Sequence, residues 1–111
     1  MEEDRQQVEK LTEALRHSTE ALWAKIRALL KEKGVDPDKT IVACAYPEDY
    51  QYEFGIIICE DRKIFQYGFD TLHRSIQKGY FKEWNDITET YPNSQHRKII
   101  EIALGYRDEK H

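Results

Sequence analysis

A chain of 111 residues has room for one hydrophobic core, and by the usual size scaling it buries roughly 65% of its unfolded surface without covalent staples. Its 21 acidic residues outweigh 17 basic ones for a net charge of -4, which excludes the basic face of a dedicated nucleic-acid binder and falls short of a nucleic-acid mimic. No apolar run approaches the ~18 residues of a membrane span, and the acidic start MEEDRQQVEK is the opposite of a signal or transit peptide, so a cytoplasmic protein is expected.

From Asp4 to Lys33 the chain lacks Gly and Pro, and Val8, Leu11, Leu15, Leu22, Ile26 and Leu29 recur at helical steps. Acids precede this stripe, Lys31 and Lys33 close it, and Gly34 follows as a left-handed cap, so one long amino-terminal helix is predicted. Ala14, Ala21 and Ala28 run beside the stripe and favour close packing. The segment HSTE, from His17 to Glu20, either bends this helix or starts a second one with Ser18 as its cap.

After GVDPDK come three runs of β-branched and aromatic residues, Thr40 to Tyr46, Tyr52 to Cys59 and Lys63 to Asp70, joined by links short enough for antiparallel hairpins. A two-residue turn at Asp61 and Arg62 would set Ile58 opposite Phe65, Ile56 opposite Tyr67 and Phe54 opposite Phe69, making one face apolar throughout. The same register pairs Gly55 with Gly68 and leaves a trough on the other face, to be filled by a packed helix or a ligand. Pairing Tyr46 with Tyr52 in the first hairpin puts Cys44 opposite Phe54 and away from Cys59. The two cysteines therefore read as free buried thiols, too few and too widely spaced for a zinc site.

In DTLHRSIQKG, Asp70 or Thr71 offers a cap, Leu72 and Ile76 an apolar side and Gly79 a stop, which predicts a short helix. YFKEWNDITE reads as a fourth, edge strand or a loop. Beyond Pro92, Asn93 or Ser94 caps a last helix with Ile99, Ile100, Ala103 and Leu104 on one side, and the tail RDEKH is expected to be solvated and frayed. The whole is an α+β architecture in a single domain, residues 1–111: a long amino-terminal helix, an antiparallel sheet of three or four strands, a short helix, and a carboxy-terminal helix packed on the sheet.

Reactive constellations are sparse. The chain has no Gly-rich phosphate loop, no paired histidines flanking a glutamate and no serine elbow. In EDRK, Asp61 and Lys63, with Asp38 upstream, resemble the acid-x-Lys arrangement of metal-dependent nucleases, yet they fall on a tight turn where solvent favours charge. Asp70 and His73 have the spacing to orient an imidazole, with no nucleophile near them in sequence. His17, His96 and His111 sit on predicted helices or at the chain end. No metal or cofactor is implied.

One stretch stands out. AYPEDYQYEFG sets Tyr46, Tyr50 and Tyr52 around Glu48, Asp49 and Glu53 at a hairpin turn, and Trp84 and Tyr80, from the edge strand or loop of YFKEWNDITE, would add to that surface. Tyrosine forms strands well, but it also supplies rigid amphipathic contact area, and the acids would steer a basic partner. The expectation is a non-enzymatic protein-binding module that recognises a basic protein surface, as small acidic inhibitor or toxin-immunity proteins do, an analogy of size and charge alone. Two alternatives are a small hydrolase or nuclease-like enzyme, and a homodimer through the amino-terminal helix, where Val8, Leu15, Leu22 and Leu29 repeat every seven residues.

Overall fold

The apolar stripe of the first thirty-odd residues folds as two helices. In the computed structural model, which describes residues 2–47, 51–60, 63–83 and 94–110, α1 runs over Glu2–His17 and α2 over Ala21–Glu32. The single long rod is thereby corrected in favour of the break at HSTE. Ser18 ends α1 by donating its N–H to the Ala14 carbonyl, and its hydroxyl then accepts from the Glu20 N–H at 3.1 Å. A serine that bonds backbone outside a helix competes with the helix itself. At the other end of α2, Gly34 adopts φ 82° while the Gly34 and Val35 N–H groups bond Lys31 and Leu30, the left-handed cap foreseen in the sequence.

A 3-10 turn, Pro37–Lys39, leads into four strands: β1 (Ile41–Pro47), β2 (Tyr52–Ile58), β3 (Lys63–Asp70) and β4 (Ser75–Glu83). They pair antiparallel in the order β1-β2-β3-β4, and α3 (Ser94–Lys110) follows. The expected short helix after Asp70 is absent: Thr71 to Arg74 form a turn and Ser75 opens β4, which settles the fourth-strand question up to Glu83. The tail expected to fray continues α3 as far as Lys110.

Register decides which side chains share a face. Cys59 donates its N–H to the Lys63 carbonyl and Ile58 pairs with Ile64, so three residues, not two, form the β2–β3 loop. That one-residue difference turns β3 over relative to the expected pairing. Ile57 now faces Phe65, Gly55 faces Tyr67 and Phe54 faces Gly68, so the predicted Gly55/Gly68 trough does not exist. A Cβ placed on Gly55 would land on the Tyr67 phenol ring, which fills the space glycine leaves. In the first hairpin Tyr46 pairs with Phe54 rather than Tyr52, and a bulge between Val42 and Cys44 absorbs the mismatch.

Both faces of the sheet are covered. On one, Ile56, Ile58 and Ile64 pack with Cys44, with Val8 of α1 and with Ile100, Ala103 and Tyr106 of α3. On the other, Ile57, Phe65, Tyr67 and Phe69 pack with Trp23, Ile26 and Leu30 of α2 and Leu15 of α1. The cysteines lie in different clusters and are free. Helix α1 therefore serves both cores, and it does so by lying along the β1 edge. There the Val42 N–H donates to the Thr12 hydroxyl at 3.0 Å, and Arg16 donates to the Thr40 carbonyl at 3.1 Å. An edge strand's outward polar groups are a liability unless something satisfies them, and here a helix does. Among the described residues, no helix is long and apolar enough to cross a membrane.

Candidate functional site

One end of the sheet gathers segments distant in sequence. The β1–β2 hairpin closes there, and so does the turn from β3 to β4, because Tyr52 pairs with Asp70 and Asp70 with Ser75. Gln51 ties the two together: its carbonyl accepts both the Thr71 N–H and the Thr71 hydroxyl at 2.7 Å, and its amide donates to the Asp70 carboxylate.

Asp70 is the anchor of this end. Its buried carboxylate accepts from the backbone N–H groups of Leu72 (2.9 Å) and His73 (3.0 Å) and from Nδ1 of His73 (2.8 Å). The His73 N–H, followed by the His73 and Gln51 side chains, holds its pKa down to about 2 against the upward pull of burial. An ionised carboxylate offers only lone pairs, so the proton on Nδ1 belongs to His73. The sequence expectation of a capping aspartate was sound; what it caps is a turn. Arg74 completes that turn at φ 52°, and its carbonyl accepts from Lys25 of α2. An arginine in the left-handed region carries none of the glycine or asparagine signal that usually marks such a position.

The predicted interaction residues divide. Tyr46 projects from the end of β1, 37% exposed, its ring 5.4 Å from that of Phe54. Tyr52, half-buried, shares that face by register, whereas Glu53 points to the opposite one beside Glu20. Burial and then the Glu20 charge raise the Glu53 pKa. Glu48, Asp49, Tyr50 and Trp84 lie outside the described residues, as does Asp61 of the nuclease-like arrangement, whose Lys63 is exposed. The structure adds Leu72, which the sequence reading had assigned to the apolar side of a helix. It stands 73% exposed on the β3–β4 turn. Leu72 and Tyr46 are the large hydrophobic side chains left exposed among the described residues, and both are at this end of the sheet.

Compared with protein-family models, curated proteins and solved structures, the chain matches none. The site must therefore be judged by its own chemistry. Asp70 and His73 have the geometry of an acid-base pair, but the imidazole opens onto solvent with a side-chain exposure of 67%. Asp70's remaining bonds go to turn backbone and Gln51, so its demonstrated work is to fix the turn. His17, whose Nε2 lies 3.5 Å from a Glu13 carboxylate oxygen on the surface of α1, stands apart from both.

Proposed function

We propose that this protein is a non-enzymatic binding module that engages a protein partner through the hairpin end of its sheet. The observation that carries this reading is the coincidence of Tyr46 and Leu72 on one braced end, while the apolar side chains of the two cores are wholly or partly buried. An exposed aliphatic chain and an aromatic ring at the same end of a sheet suit the central contacts of a small interface. The turn's anchoring by Asp70 and Gln51 supports the reading further, because a preorganised surface spends less on ordering when it binds. Glu48 and Asp49, which follow Tyr46 in the sequence, favour a partner with a basic surface, the class that small acidic inhibitor and immunity proteins recognise.

The test is capture from native lysate with the wild type, a Tyr46→Ala/Leu72→Asp double variant, and a Lys31→Ala control on the exposed end of α2. The expected outcome is one basic protein retained by wild type and control, lost by the double variant and released by added salt. Retention by all three moves the binding face elsewhere. Recovery of no partner, with all three folded, ends the proposal.

A further inference from the structure

Where α1 and α3 meet the β1 edge, the packing leaves a half-enclosed cavity of about 200 Å³. Val8 and Leu11 form its α1 wall, and Ile99 and Ile102 its α3 wall. Its floor is the β1 stretch Ala43 to Tyr46, which begins at the β1 bulge. Pairing slips between Val42 and Cys44, so the consecutive residues Ala43 and Cys44 both line the same space, although neighbours in a regular strand point to opposite faces. Both are small, and the room between the helices is what their size leaves. Gln7 and Tyr46 sit among the lining groups as its polar members.

We propose that this cavity binds a small uncharged molecule with an apolar body of roughly six to ten non-hydrogen atoms and one hydrogen-bonding end. Size sets the upper limit: apolar cavities of about 150 Å³ take a benzene ring, and a sterol or a whole lipid chain needs more. Chemistry sets the rest. The lining includes no carboxylate, amine or guanidinium, and burial pushes the Cys44 thiol up to about 11, so it is neutral at physiological pH. A charged ligand would lose its hydration with nothing to replace it. A hydroxyl or carbonyl, by contrast, finds the Gln7 side-chain amide, which offers both donor and acceptor. This inference shares Tyr46 with the protein-binding reading but needs no partner.

The experiment is a methyl-resolved NMR titration of the full chain with 1-hexanol, and in parallel with hexanoate, its charged counterpart. The expected result is saturable binding of hexanol in about the millimolar range, with shifts concentrated on Val8, Leu11, Ile99 and Ile102, and binding of hexanoate at least tenfold weaker. Ile102→Trp, which adds bulk at a half-buried helical position, and Cys44→Leu, which raises the floor, should each weaken hexanol binding at least tenfold. Two variants, one on a wall and one on the floor, guard against one that fails to fold. Non-saturating or dispersed shifts, equal binding of hexanoate, or undiminished binding in a folded variant would overturn the proposal. So would the same methyl shifts on concentrating the protein alone, which would give the cavity to a second copy.

Discussion

At Gly55 a hydrogen stands where any other residue would place a Cβ, and the Tyr67 ring from the neighbouring strand lies across that position. The ring is fully buried against the Phe65 side of the sheet, yet its hydroxyl finds no hydrogen-bond partner among the described residues. Burial therefore drives the phenol's pKa strongly upward, with Glu53 adding to the effect. Opposite consequences follow for two substitutions. Gly55→Ala forces the ring out of place and should cost about 1–3 kcal/mol in urea unfolding. Tyr67→Phe removes an orphaned hydroxyl and keeps the ring, so it should raise stability by about 1 kcal/mol. The double variant Gly55→Ala/Tyr67→Val should lose less than the sum of its single changes, because the two residues share one volume.

The β3–β4 turn shows how one local device serves two elements. An aspartate that accepts N–H groups two and three residues ahead is a helix cap if the chain goes on winding, and a turn cap if it does not. From Asp70 onward the residues themselves do not choose; the pairing of Phe69 with Ile76 and of Phe65 with Phe81 does, and it is long-range. That is why the helix end capped at Gly34 and the helix start at Ser94 were legible in the sequence, while this segment was not. The β2–β3 loop was missed for a related reason. Two- and three-residue loops look alike in EDRK, and only the demand that Phe65, Tyr67 and Phe69 meet α2 separates them. The Asp70 brace also sets a pH dependence. Its carboxyl titrates at about 2 in the folded chain against an ordinary 3.8, so its contribution is complete above pH 4 and lost as pH falls toward 2. Asp70→Asn should lower the melting temperature at pH 7 and flatten its decline between pH 4 and 2, as a series of thermal melts would register.

Across the whole molecule, periodicity and turn chemistry were enough for the α+β class, because each element's burial pattern is written in its own residues. The candidate site was only half legible. Tyr46 announces itself as an aromatic beside a hairpin turn, but nothing local in TLHR marks Leu72 as exposed, since that follows from the pairing of Asp70 with both Tyr52 and Ser75. The cavity was not legible at all, for a bulge is a mismatch between two strands and belongs to neither alone. The placement of α1 has its own effect on motion. Edge strands ordinarily open first, and their outward amides trade protons with solvent fastest. Here the outward Val42 amide is held by Thr12 from a helix that is itself pinned into both cores by Val8 and Leu15. In deuterated water Val42 should exchange as slowly as the amides of central β2, and Thr12→Val should speed it selectively; fast exchange in the wild type would mean that α1 lifts from the sheet far more often than the sheet unfolds. The first helix of the chain would then set the opening rate of its first strand.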